Sequence, residues 1–271
     1  MKADLHVHST VSDGSFSRSE IIEIAKSKGI THIAFTDHDC TDGFEKCAEL
    51  SEISGIRIIP AIEISAFDFG INKKAHILGY NYKDPEPINK LCEPVLKKRH
   101  CNCLKQIEIL ADMGYKITPE SVMAYSGRTI YKQHILKYLY DTKQSEMIFG
   151  DIYKNIFKNG GRCDFDITYC DAADAVKAIK ESGGTAVLAH CGQQKNFEII
   201  PRLVEAGLDG LELNHPSNNK SDKEKIIDLS NQYGLFITGG SDFHGEYERE
   251  ERCVGDFISP ENPIINQSDI E

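Results

Sequence analysis

The sequence predicts an α/β protein: a wound, mainly parallel sheet or barrel interrupted by an all-helical insertion. Three observations carry that expectation. Apolar, β-branched runs alternate with segments of helical spacing over the first 80 residues, the rhythm of β-α-β units. The rhythm stops near residue 84 and resumes near residue 164. Imidazoles and carboxylates recur where the apolar runs end, which is where a barrel concentrates its chemistry. The expected division is a barrel over 1–83 and 164–271 with a helical cap over 84–163. A chain of 271 residues with 40% apolar content can bury such a core as one large domain.

The elements are justified in turn. Residues 3–7 read as a strand, and 17–27 place Ile21, Ile22, Ile24 and Ala25 at helical spacing before Gly29 closes the helix. A strand over 32–35 follows, then a helix over 42–53 that stops near Gly55. Residues 57–64 read as a third, β-branched strand and 75–80 as a fourth. Asp84-Pro85-Glu86-Pro87 breaks the chain, and helices are expected over 88–113, 119–124, 130–140 and 146–158. Helix 171–181, strand 185–189, helix 197–205, strand 210–213, helix 222–233 and strand 235–238 then restore the alternation. No internal repeat or low-complexity tract interrupts it.

Composition narrows the function. The formal charge is −11, and no run of lysine or arginine is long enough to follow a nucleic-acid backbone. Tight binding to long duplexes is thereby disfavoured, while a small or short phosphorylated substrate stays open. The first strand begins at Ala3, which leaves no room for a secretory signal, and no apolar stretch reaches the roughly 20 residues of a membrane span. Nine cysteines, an odd number without framework spacing, fit free thiols in a reducing compartment. A cytoplasmic protein is expected. Cys101 and Cys103, two apart on a helix, do not face one another, so no thiolate metal site is expected there.

The chemistry lies in four short clusters. His6 and His8 are two apart on a strand, so both side chains share a face and can take one divalent cation. Asp242 and His244 repeat that spacing near the other end of the chain. Glu63 follows the apolar run Ile58-Ile59-Pro60-Ala61-Ile62, where an unpaired carboxylate would be heavily penalised unless a cation relieved it. His38 stands between Asp37 and Asp39, His76 interrupts Ala75-His76-Ile77-Leu78-Gly79-Tyr80, and His190 ends Val187-Leu188-Ala189. Taken singly, a solvated turn histidine or a hydrogen-bonded core histidine would account for each. Together, at successive strand ends, they point to a metallohydrolase whose site is built from distant segments.

These residues carry a resemblance. Asp4-Leu5-His6-Val7-His8-Ser9-Thr10 with Ser12-Asp13-Gly14, Phe35-Thr36-Asp37-His38-Asp39, Glu63, His76-Ile77-Leu78-Gly79-Tyr80, Leu188-Ala189-His190 and Gly240-Ser241-Asp242-Phe243-His244-Gly245 resemble the motifs of the PHP (polymerase and histidinol phosphatase) metal-dependent phosphoesterases. The likeness is to the branch of nucleoside 3',5'-bisphosphate phosphatases. It implies a distorted (β/α)7 barrel with up to three divalent ions at the strand ends. One would be held by His6, His8, Glu63 and Asp242, a second by Glu63, His76 and His190, and a third by Asp13, His38 and His244. Such a donor set suits Mn, Zn or Fe better than Mg. His6, His8, Glu63, Asp242 and His244 would be catalytic as well as ligating.

The resemblance also implies that the helical insertion chooses the substrate, with Arg128 reaching its phosphate. The usual Pro-His after that arginine is replaced here by Thr129-Ile130, leaving His134 further on as a second candidate. Arg99 and His215, the latter in Asn214-His215-Pro216, complete the expected substrate-binding residues. The implied reaction is hydrolysis of a phosphate monoester on a nucleotide or short oligonucleotide by metal-activated hydroxide, with no membrane or long-duplex partner. Histidinol-phosphate hydrolysis is the alternative enzyme, and a non-catalytic metal-stabilised module the alternative class.

Overall fold

The computed structural model describes residues 1–247 and 251–266. Residues 267–271, the tail of the expected second barrel segment, and residues 248–250 lie outside it. In chain order the elements are β1 (Ala3–Val7), α1 (Arg18–Ser27), β2 (His32–Phe35), α2 (Cys47–Ser54), β3 (Arg57–Ile59), β4 (Ala61–Asp68) and β5 (Lys73–Tyr80). Next come α3 (Glu86–Asp112), α4 (Pro119–Met123), α5 (Lys132–Asp141) and α6 (Asp151–Ile156). The chain continues through β6 (Cys170–Asp171), α7 (Ala172–Glu181), β7 (Thr185–Leu188), α8 (Cys191–Gln194), α9 (Ile200–Glu205), β8 (Gly210–Asn214), α10 (Lys220–Tyr233) and β9 (Phe236–Gly239).

The strands form two sheets, in the orders β1-β2-β3 and β6-β4-β5-β7-β8-β9. The first is parallel throughout. The second is mixed, because β5 runs antiparallel to both β4 and β7. That corrects the expectation of a parallel rhythm through this region. Only the turn between Asp68 and Lys73 separates β4 from β5, and a parallel connection needs a crossover of about a dozen residues or more. The expected single strand over 57–64 is also corrected to two, β3 and β4, which lie in different sheets on either side of Pro60. Proline lacks the N–H that a continuous ladder requires.

The sheets meet at two seams. His8 N donates to Phe243 O (2.9 Å) and Asp242 N to His6 O (2.8 Å), joining β1 to the segment beyond β9. Asp39 N donates to Glu63 O (2.9 Å), joining the end of β2 to β4. Gly240 permits the first seam: a Cβ there would lie 2.4 Å from His6 N. Ala3, Leu5, Ala34, Ile59, Leu78, Tyr80 and Val187, from strands of both sheets, bury one another in a shared interior.

Outside that interior, α1 and α2 cover the small sheet through Ile21, Ile22, Ala25 and Cys47, while α7, α9 and α10 cover the large one through Val176, Ile179, Leu203 and Ile226. Helix α1 starts where its sequence directs, since Ser17 Oγ accepts from Glu20 N and the Glu20 carboxylate accepts from Ser17 N. Helices α3 to α6 build a separate apolar cluster around Ile107, Leu110, Ile135, Leu139 and Phe157. No helix among the described residues is long and apolar enough to cross a membrane.

Candidate metal centre

All nine residues expected as ligands come together at one end of the two sheets. Glu63, on β4, is their hub. Its Oε2 lies 3.3 Å from His6 Nε2, 3.2 Å from His8 Nε2 and 3.3 Å from His38 Nδ1. Its Oε1 lies 2.8 Å from His76 Nδ1 and 2.9 Å from His190 Nε2. Asp242 Oδ1 approaches His6 Nε2 and His8 Nε2, each at 3.3 Å. Asp13 Oδ1 stands 3.6 Å from both His8 Nδ1 and His244 Nε2, and Asp13 Oδ2 is 3.9 Å from His38 Nε2. Among the described residues four donor groups result: His6, His8, Glu63 and Asp242; His38, Glu63 and His76; His8, Asp13, His38 and His244; and His6, Glu212 and His215.

Burial makes this cluster costly without cations. Glu63 is 1% exposed and His6 and His8 are fully buried. Burial pushes the Glu63 carboxyl up, but the imidazoles of His38, His76 and His6 hold it well below its usual range. Burial, aided by the neighbouring imidazoles of His8 and His76 and opposed by Glu63 and Asp13, pushes His38 down to about 4. Although His6 Nε2 and both nitrogens of His8 sit close to carboxylates, none has a hydrogen-bond partner among the described residues. Converging, buried lone-pair donors of this kind fit a divalent cation.

A surrounding layer of carboxylates aims the donors. Glu212 Oε1 lies 2.8 Å from His6 Nδ1, and Glu212 Oε2 accepts from His190 N at 2.9 Å. With Nδ1 donating to Glu212, His6 Nε2 is left to face the centre. His244 Nδ1 lies 2.9 Å from Asp242 O, which turns its Nε2 inward. Asp4 accepts from Ser241 N and Ser241 Oγ (2.9 and 2.7 Å) and from Gly255 N (2.7 Å). Asp37 accepts from Ser9 N, Ser12 Oγ and Arg18 Nη2 (2.8, 2.9 and 2.8 Å). These two aspartates fasten the strand ends rather than offering oxygen to a cation. Asp39, His190 and Asp242 turn the backbone with φ of 57°, 27° and 52°, a region that non-glycine residues seldom enter.

A cavity of about 980 Å³ opens over the cluster, with Asp13, His38, His76, His215 and Asp242 in its floor. His215 Nε2 is 3.2 Å from Asp242 Oδ2, and its Nδ1 is 2.7 Å from Ser217 Oγ. Arg99, on α3, reaches the cavity from the side, donating to Asp39 Oδ2 (2.7 Å) and Ser65 Oγ (2.9 Å) and lying over the Tyr131 ring. His134 is fully buried, its Nδ1 accepting from Tyr131 N at 3.1 Å, and does not line the cavity. Arg128 is exposed in the loop before α5 and does not line it either. Residues that sequence reasoning missed are Glu212, the helix-borne Gln133, which donates to Asp13 Oδ2 at 2.7 Å, and the lysines of the cavity wall.

An α/β frame that gathers six imidazoles and three carboxylates under an open cavity defines a metal-dependent hydrolase. The PHP domain family model matches residues 4–185, and the chain belongs to that family. It is 41% identical, over 92% of its own length and 96% of the relative's, to the phosphoribosyl 1,2-cyclic phosphate 1,2-diphosphodiesterase of Eggerthella lenta. It is 27% identical, over 90% and 88%, to the 3',5'-nucleoside bisphosphate phosphatase of Chromobacterium violaceum. A crystal structure from Bifidobacterium adolescentis, described as a candidate metal-dependent phosphoesterase, superposes with a TM-score of 0.86 at 26% identity, covering 95% of this chain and 92% of that one. The protein is a hydrolase acting on phosphate esters.

Proposed function

We propose that this chain hydrolyses a phosphate ester on a small ribosyl compound, with a cyclic phosphate on vicinal ribose oxygens as the first candidate and a nucleoside 3',5'-bisphosphate as the second. The convergence of five imidazoles on Glu63 carries the metal-dependent chemistry. The choice of ester is supported by the relatives: the Eggerthella protein shares more of this sequence than the Chromobacterium phosphatase, and both are named for ribosyl phosphates. The expected monoester hydrolysis is thereby widened to include a diester step.

Two or three divalent ions, Mn, Zn or Fe, would be held by His6, His8, Glu63 and Asp242; by Glu63, His76 and His190; and by Asp13, His38 and His244. When bound they would supply water activation and charge stabilisation at the phosphoryl oxygens. Water adds its oxygen to phosphorus, one P–O–C bond breaks, and the ribose oxygen leaves with a proton. His215, held between Ser217 and Asp242, is the residue of this chain placed to hold that proton. Arg99 presents its guanidinium beside the floor. In this reading the two sheets act as one distorted barrel, closed at the seams described above, and the helices over 84–163 act as its cap. Nine free cysteines suit a cytoplasmic location.

The test is conversion to a phosphate monoester, a released nucleotide or free phosphate, resolved by chromatography, with and without prior chelation, for a phosphoribosyl 1,2-cyclic phosphate, adenosine 3',5'-bisphosphate, 5'-phosphorylated RNA and histidinol phosphate. The ribosyl compounds should be cleaved best, and only after Mn²⁺ is restored. Activity that survives complete metal removal, or a preference for histidinol phosphate, would overturn the proposal.

A further inference from the structure

We propose that Lys132 and Lys158 form a binding site for a second phosphate on the substrate, in the cavity wall away from the imidazole floor. The inference rests on the ribosyl phosphate reading above and deepens it: the substrate carries one phosphate to be cleaved and another to be held. Both lysines line the cavity that opens over Asp13, His38 and Asp242. Lys132 begins α5, directly before Gln133, whose side chain donates to Asp13. One helical turn therefore links the floor to the wall.

The Lys132 amine lies over the Phe157 ring and near Asp166, but the fold gives it no ion pair among the described residues, and three features oppose its charge. A cation at a helix N-terminus meets the positive end of the helix dipole. Lys132 is partly buried, and burial followed by the neighbouring charge of Lys158 pushes its amine down. The nearby carboxylate, Asp166, is already engaged, accepting from Lys74 Nζ at 2.5 Å, Tyr169 Oη at 2.7 Å and Ile167 N at 2.9 Å. Neither Lys132 nor Lys158 has a carboxylate within ion-pair distance among the described residues. A helix start, a half-buried position and a second lysine all oppose the charge, and a dianion delivered by the substrate relieves all three. Lysine, a point charge on a flexible stem, suits a phosphate held without chemistry.

The experiment compares wild type with Lys132→Ala/Lys158→Ala on adenosine 3',5'-bisphosphate and on the two adenosine monophosphates, with Mn²⁺ present. The double variant should lose at least tenfold in kcat/KM on the bisphosphate, mainly through KM, and less than twofold on the monophosphate cleaved. Lys132→Arg should retain most of the bisphosphate activity. Equal losses on both substrate types, or no loss on either, would overturn the inference. Calorimetric titration of metal-free protein with ribose 5-phosphate keeps the two readings apart. If wild type cleaves neither these nucleotides nor a phosphoribosyl 1,2-cyclic phosphate, the substrate reading fails, yet weaker ribose 5-phosphate binding by the double variant still supports the site, and unchanged binding removes it.

Discussion

The floor and the wall of the cavity are built on opposite principles. In the floor, acids and imidazoles face one another: Glu63 touches five imidazoles and Glu212 steadies His6. Along the wall, Lys132 and Lys158 are left without an acidic partner among the described residues. The floor comes from strands and the turns that follow them, deeply covered; the part of the wall that carries the two lysines comes from the start of α5 and the turn beyond α6, in a region that packs around an apolar cluster of its own. A cluster of converging imidazoles and carboxylates suits ions and one reaction on many esters, and in the reading proposed above selection among those esters falls to the lysines of the wall.

The largest effect should follow from Glu63→Gln, which keeps the volume and removes the charge at the hub. The loss in kcat/KM should be roughly 10³-fold or more, since Lewis-acid stabilisation of several kcal/mol is at stake, and metal analysis should show fewer ions per chain. Full metal content with undiminished turnover would break the contrast between floor and wall. Glu212→Gln should be milder. It leaves every donor in place but loosens the aim of His6, so metal affinity should fall about 10- to 100-fold, with KM unchanged once metal is saturating. A rise in KM at saturating metal would show that the surrounding carboxylates belong to substrate recognition instead.

The smallest effect is one of pH and tests the helical region behind the wall. Burial pushes His134 down to about 4 from its ordinary 6.5. The unfolded chain therefore binds this proton at a higher pH than the folded chain does. Stability from this residue is complete above pH 6.5 and is lost as the pH falls toward 4, by on the order of 1 kcal/mol at about pH 5.5. His134→Gln, which can still accept from Tyr131 N, should flatten that part of the stability curve in denaturant titrations. If the acid limb is unaltered, His134 is not the group that weakens the helical region.

Much of the floor was legible because metal sites violate ordinary sequence patterns. A carboxylate after five apolar residues, as at Glu63, and imidazoles at i, i+2, as at His6 and His8, have few comfortable alternatives. Glu212 obeys the same logic, a carboxylate between Leu211 and Leu213 in a strand buried at its start, and the desolvation argument used for Glu63 would have found it. Asp13 came only from the family likeness, because Ser12-Asp13-Gly14 reads locally as a solvated turn. The antiparallel β5 was hidden by reading β4 as ending at 64; its last four residues carry the strand into a short turn at Phe69 to Asn72. Lys132 and Lys158 were illegible for a general reason. A lysine on a helix normally points into water, and only the tertiary arrangement shows these two lining one cavity.

The left-handed turns at Asp39, His190 and Asp242 bear on how the protein meets its ions. Each such bend costs roughly 1–3 kcal/mol, and the strand-to-strand hydrogen bonds of Asp39 and Asp242 hold two of them in place. Exchanging one metal for another should therefore alter reactivity while leaving the contour of the polypeptide as it was.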